Sequence, residues 1–262
     1  MKKYWTLFKL NLQVTFAYRA SFVVWFFISI IQTLFLLYLW FSIYDSGGKV
    51  GNYEFSELLT YYILQFTLYG IIETFISWDI IEDIKEGYFT HYIVKPVNYF
   101  ILQSVQNFSS KIIESIFALI GFLAILFIAF RYVLPPVSIS ALIHMIILIF
   151  LAMLLSFLIE FLIGISAFWL TDSDGFKMLT MGIGRFFSGN LIPLSLLPFP
   201  FILISKFLPF QYLMYVPAQI YLGKTNNIAG AYAGVIIWIA IFFVLSFHFL
   251  KVGRKRYESV GG

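Results

Sequence analysis

The chain has 262 residues, of which 61% are hydrophobic, 21% aromatic and only 11% charged, whereas a soluble domain carries about 25% charge. This excludes a water-soluble globule and leaves a polytopic membrane protein. With 17 Lys and Arg against 13 Asp and Glu the net charge is +4, and the zero cysteines exclude a disulfide framework, a thiolate metal site and a cysteine nucleophile.

Residues 1–20 place Lys2, Thr6, Lys9 and Gln13 on one stripe and Trp5, Phe8, Leu12 and Phe16 on a neighbouring face. This predicts an interfacial helix anchored by Lys2, Lys3, Trp5 and Lys9, lysines near lipid phosphates and rings in the acyl boundary. An ordinary basic, aromatic flank of the first span is the plainer reading. A helix needs about 20 apolar residues to cross a bilayer, and six stretches qualify: 22–44, 58–78, 112–130, 139–170, 176–197 and 228–250. The first and last carry no charge, whereas Glu73, Glu114, Glu160 and Arg185 lie within the other four. The fold class is therefore all-α with six transmembrane helices in one domain spanning 1–262. The stretch 139–170 is too long for one upright helix and must tilt or run along an interface.

The orientation follows from the basic residues beside the spans. Lys2, Lys3, Lys9, Arg19, Lys85, Lys95, Lys111, Lys177, Lys251, Arg254, Lys255 and Arg256 would share one side, against Lys49, Arg131, Lys206 and Lys224 on the other. Both termini are thus expected in the cytoplasm, and the basic excess is used at the membrane surface rather than on nucleic acid.

The cytoplasmic segment 79–107 is too short to fold around its own core. Ile80, Ile84 and Tyr88 recur every four residues, with Asp79, Glu82, Asp83, Lys85 and Glu86 on the other faces, which predicts a short amphipathic helix. Gly87 would bend or end it and Pro96 forbids its continuation. Its acidic face suits a basic or polar groove on a soluble partner; a merely solvated surface helix is the alternative.

Five of the eight prolines, Pro193, Pro198, Pro200, Pro209 and Pro217, fall between Ile192 and Tyr221. The pieces between them are too short to cross, so 198–224 is predicted to form a re-entrant helical hairpin on the outer side. Glu160 and Arg185, both deep in their spans, are expected to pair across the turn 171–175, since an unpaired charge there costs several kcal/mol. The alternative is that one of them lines a conduit. Gly230 and Gly234 form a G-x-x-x-G, and Gly182, Gly184 and Gly189 make span five small-sided, which suits close helix packing within the subunit or at a dimer interface.

No H-E-x-x-H, paired metal spacing or G-x-S-x-G is present, and Gly223-Lys224-Thr225 lacks the glycine a P-loop needs five positions earlier, where Ala218 stands. Asp172-Ser173-Asp174-Gly175 reads as a turn with a helix N-cap. The chain is not expected to be an enzyme or to hold a metal.

Four segments resemble the membrane subunits of ABC exporters of the type-two permease class, in the six-span subfamily without a large ectodomain. They are the opening YWTLFKLNLQVTFAYRASFVVW, the loop WDIIEDIKEGYFTHYIVKPVNYF ending in Lys95 and Pro96, the outer SGNLIPLSLLPFPFILISKFLPF, and VPAQIYLGK before span six. The resemblance implies that the loop is a coupling helix seated in a cleft of an ATP-binding subunit. Glu82, Asp83, Ile84, Glu86, Gly87 and Tyr88 would form the partner-binding surface, the N-terminal helix would flank it, and span five with its hairpin would line the path. It further implies two ABC ATPase subunits, a second permease that is either a similar chain or a second copy, surrounding membrane lipids, and no cofactor on this chain, with ATP and Mg on the ATPase. The expected activity is export of an amphipathic or hydrophobic substrate across the cytoplasmic membrane. A secondary transporter and a non-transporting assembly factor or sensor are the competing classes.

Overall fold

The computed structural model describes residues 2–17, 19–94, 97–129, 131–225 and 227–260. These residues form helices and connecting turns: α1 (Lys2–Ala17), α2 (Arg19–Asp45), α3 (Phe55–Ile72), α4 (Ile76–Lys85), α5 (Phe89–Val94), α6 (Tyr99–Ala129), α7 (Ile139–Ile165), α8 (Ser173–Phe187), α9 (Phe199–Lys206), α10 (Tyr215–Tyr221) and α11 (Ile228–Val260). Four stretches, Phe55–Lys85, Tyr99–Phe127, Ile139–Phe168 and Ile228–Tyr257, are long and apolar enough to cross a membrane, and Ile30–Asp45 of α2 is a shorter apolar helix.

Two helices are interior. On α3 every residue from Thr60 to Leu68 is buried, including Tyr61, Tyr62, Gln65 and Thr67, because polar groups at membrane depth need protein partners. On α7, Leu155 to Leu158 are buried on all sides, and the helix packs against α11, α4, α10 and α3. By contrast α2, α6 and α11 show apolar side chains such as Phe35, Phe127 and Val244 outward, as lipid-facing helices do. One core joins α3, α7, α10 and α11 around Tyr61, Leu68, Leu148 and Val235. The other joins α4, α5, the start of α6 and the end of α7 around Ile80, Phe89, Phe157 and Phe161.

Several boundaries differ from the sequence expectation, each for a local reason. The helix expected over 58–78 stops at Ile72 and resumes as α4 at Ile76. At the break Lys111 Nζ donates to the Glu73 carbonyl and Thr74 Oγ1 donates to Asn107 Oδ1. Side chains of α6 thus satisfy backbone and polar groups that a continuous helix would not expose. The segment expected as a loop over 79–107 is mostly helical, because α4, α5 and the first turns of α6 bury Ile80, Phe89 and Phe100 in a common core. The expected helix 139–170 begins at Ile139, capped by Ser138, whose Oγ accepts from the Ala141 N–H at 3.0 Å, but ends at Ile165 in a short 3-10 turn, Ser166–Phe168.

Span five, expected over 176–197, ends at Phe187. Gly189 takes a left-handed φ of +78°, and a Cβ there would meet the Tyr61 hydroxyl at 2.8 Å, so the chain turns away before Pro193. With 15 residues, α8 is about 22 Å long, short of a full crossing. The last expected helix, 228–250, runs on to Val260. The turn before α8 is the expected N-cap: Asp172 Oδ1 accepts from the Gly175 N–H at 2.9 Å. Lys95, Pro96 and Phe130, which figure in the sequence reading, lie outside the described residues.

Candidate functional site

The amphipathic helix α4 carries the first half of the site. Ile76, Ile80 and Ile84 are buried against α7 and the 3-10 turn and Ile81 is buried as well, while Glu82 and Glu86 are exposed. Gly164 on α7 permits the close approach, since a Cβ there would sit 2.7 Å from Ile80 Cβ. Of the residues expected to form the docking surface, Glu82, Glu86 and Tyr88 are exposed, Gly87 is half-buried, and Ile84 faces the core. Asp83 is engaged inside, accepting from the Tyr99 hydroxyl at 2.7 Å and from Gln103 Nε2 at 3.2 Å. Tyr88 does not continue the Ile80–Ile84 face. Gly87, at φ +84°, ends the helix, and Phe89 takes the buried place at 2% exposure.

The C-terminal end of α11 braces this region. The Tyr257 ring meets Phe89 edge-on at 5.3 Å, its hydroxyl lies 3.1 Å from Thr90 Oγ1, and Gly253 leaves room for Phe168. On the other side α1 lies along α6, with Asn11 Nδ2 donating to the Gln106 carbonyl at 2.9 Å and to Ser109 Oγ at 2.8 Å. Trp5 stacks on Phe8 and stays 59% exposed, with Lys9 Nζ 5.3 Å from its ring centroid and Lys3 Nζ 5.1 Å from that of Tyr4. The Lys2 side chain is outside the described residues.

The second half of the site is a polar joint where α4, α7 and α8 meet. Lys177 of α8, its side chain fully buried, lies 2.7 Å from Glu160 of α7. The ammonium also donates to Ser77 Oγ of α4, and Ser77 in turn donates to Glu160. The Trp78 ring, centroid 4.8 Å away, covers the cation. A second, more exposed bridge joins α4 to α8, Lys85 to Asp174 at 2.8 Å. Glu160 therefore pairs with Lys177 and not with Arg185. Because α7 ends at Ile165, Glu160 is only about 7 Å from its C-terminal end, within reach of the second turn of α8. Arg185, two turns further along α8, donates through Nη2 to the Tyr69 hydroxyl at 2.6 Å. Both Glu160 and Arg185 border a narrow cleft, together with Glu73 and Ser156.

The far half of α3 holds the non-helical chain after α8. Tyr61 donates to the Gly189 carbonyl, Tyr62 to that of Leu191 at 2.9 Å, and the Tyr215 N–H to the Ser188 carbonyl at 3.0 Å. The segment 198–224 contains two short helices, α9 and α10, with α10 buried against α7. Its end is fastened by Lys224, which pairs with Glu57 at 2.8 Å, and by Gln219, which donates to the Tyr53 hydroxyl at 2.8 Å. Burial raises the Tyr53 pKa above its ordinary value, so the phenol stays neutral and hydrogen-bonding.

Among the small residues, Gly234 lies against Tyr212 and Gly230 beside Asn227, which caps α11, so the G-x-x-x-G serves packing and capping within this chain. Gly184 makes ordinary contact with Phe210, whereas Gly182 faces open space. Lys177, Ser77, Gly164 and Tyr257 were not singled out by sequence. The one usable sign was Lys177 itself, a lysine eight residues from Arg185 and so near the same helical face.

Comparison with known families places residues 27–261 in a match to the family described as ABC-2 family transporter protein. No curated protein matches the chain significantly.

Proposed function

Because the chain belongs to the ABC-2 family of transporter proteins, and is thus an integral membrane component of a transport system, we propose that it is the permease subunit of an ATP-driven exporter. In this reading ATP and Mg are bound and ATP is hydrolysed on two copies of a separate ABC ATPase. This chain pairs with a second permease, either a similar chain or itself. The protein sits in the cytoplasmic membrane with α2, α3, α6, α7 and α11 as membrane helices, the remaining passage made by α8 together with the chain that follows it, and both termini inside. The 198–224 segment is the re-entrant outer hairpin, and the cargo is amphipathic.

The observation that carries the proposal is the mounting of α4. Its apolar face is keyed into α7 at Gly164 and Ile80, its polar end presents Glu82 and Glu86, and two ion pairs involving Lys85 and Lys177 tie its neighbourhood to α8. A push on α4 by a closing ATPase has rigid routes onward. One runs through the Ser77–Lys177–Glu160 joint into α8. The other runs through the stitched break at Glu73 into α3, and from Tyr61 and Tyr62 to the chain beyond α8. Rigid elements held this way favour a two-state movement over gradual bending.

The test is to purify the tagged chain from its native membranes under mild extraction, identify its partners, and repeat with Glu82→Arg and Glu86→Arg together. A co-purified ATPase that the double variant loses supports the reading. Absence of any nucleotide-binding partner, with none binding when supplied, counts against it.

A further inference from the structure

A second, narrow cleft lies between α2, α3 and α8, and its lining includes Gln32, Gln65, Phe66, Tyr69, Arg185 and Asn190. Two shielded polar atoms of these residues have no hydrogen-bond partner, Arg185 Nε and Gln65 Oε1. Gln65 is only 2% exposed, and its Nε2 is turned to the Met214 carbonyl at 3.5 Å, which leaves the amide oxygen as the open group. Arg185 has a neutral partner, the Tyr69 hydroxyl. Among the described residues no carboxylate oxygen lies within 4.0 Å of its guanidinium. Glu160, across α8 in the neighbouring cleft, is committed to Lys177.

A buried donor and a buried acceptor left unpaired on residues that line one cleft each cost free energy unless a partner reaches them. Glu73 borders the neighbouring cleft beside Arg185 but does not pair with it within 4.0 Å, so the guanidinium keeps N–H groups free to hold an anion directly. The open acceptor at Gln65 calls for a hydroxyl or N–H beside that anion, and Leu36 and Phe66 offer apolar wall next to both. We propose that this cleft binds an anionic headgroup bearing a hydroxyl, with Arg185 holding the anion and Gln65 the hydroxyl. That this is the transported cargo rests on the exporter reading above; that the cleft binds such a group does not.

The experiment uses the full chain in dodecyl maltoside micelles, read by native mass spectrometry and thermal shift, with three probes: dihexanoyl phosphatidylglycerol, dihexanoyl phosphatidylcholine and glycerol 1-phosphate. Phosphatidylglycerol is expected to bind at least about tenfold more tightly than phosphatidylcholine. Arg185→Gln should remove that preference, Arg185→Lys should retain part of it, and Gln65→Leu should weaken phosphatidylglycerol severalfold. Glycerol 1-phosphate binding as well as phosphatidylglycerol assigns the site to soluble phosphate esters, and binding of phosphatidylglycerol alone assigns it to a membrane amphiphile; both uphold the headgroup chemistry. Equal binding of the two lipids, or an unchanged preference in folded Arg185→Gln, overturns the proposal. If that variant does not fold, an unchanged affinity in Gln65→Leu overturns it instead. These readouts need no ATPase, so they succeed or fail independently of the co-purification test.

Discussion

The Lys177 ammonium lies 2.7 Å from the Glu160 carboxylate with its side chain fully buried, and Ser77 of the neighbouring α4 bonds to both. Three helices from separate parts of the chain are thus locked by one charged triad. Removing one partner of a buried pair is far more damaging than replacing both, because the survivor keeps its desolvation cost without its compensation.

Lys177→Met is accordingly expected to destabilise the protein by about 3–5 kcal/mol, with Lys177→Met/Glu160→Gln recovering most of the loss. Thermal unfolding of the four proteins of this cycle in detergent measures it. Additive losses would show that the two residues do not interact.

Gly164→Val is expected to cost about 1–3 kcal/mol through overpacking against Ile80, and to lower ATP-linked turnover by displacing α4. Gly182→Ala, where a Cβ meets open space, should leave both stability and turnover near wild type. Melting temperature and ATPase rate of the reconstituted complex check the contrast.

Lys85 and Asp174 form an ion pair with both side chains partly exposed, so Lys85→Gln should change stability by less than about 1 kcal/mol. If the bridge serves to transmit movement from α4 to α8, turnover will fall while the melting temperature hardly moves. The ratio of ATP hydrolysed to cargo moved separates the two effects.

The absence of cysteine makes topology directly measurable with single introduced thiols. Cysteines at Glu82 and Lys255 should react with a membrane-impermeant maleimide only in inside-out vesicles, and those at Lys49 and Lys206 only in right-side-out ones. Any reversal overturns the assigned orientation.

Much of this architecture was legible because it rests on local rules. The charge-poor runs marked the long helices, including the start of α7 at Ile139, and the Ile80–Ile84 spacing gave the buried face of α4. The misses share a cause: they depend on partners distant in sequence. The end of α8 at Phe187 depends on Gly189 lying under Tyr61. The break after Ile72 depends on Lys111 and Asn107 reaching it from α6. Charge depth alone pointed Glu160 to Arg185, but the early end of α7 at Ile165 set it beside Lys177 instead. Likewise the proposed docking acids include Asp83, which is spent on Tyr99 and Gln103, something no helical wheel reveals.

The central claim, that α4 passes the movement of an ATPase to the rest of the chain, is tested most directly by distance. Spin labels at Asp79→Cys on α4, outside the proposed docking surface, and Lys206→Cys at the end of α9 would be measured by pulsed electron resonance in the ATPase-bound complex, with and without ATP. The account predicts a discrete ATP-dependent shift between two separations that is lost in the Lys85→Gln/Ser77→Ala background. One unchanged distance distribution, with ATP bound and turning over, would contradict it.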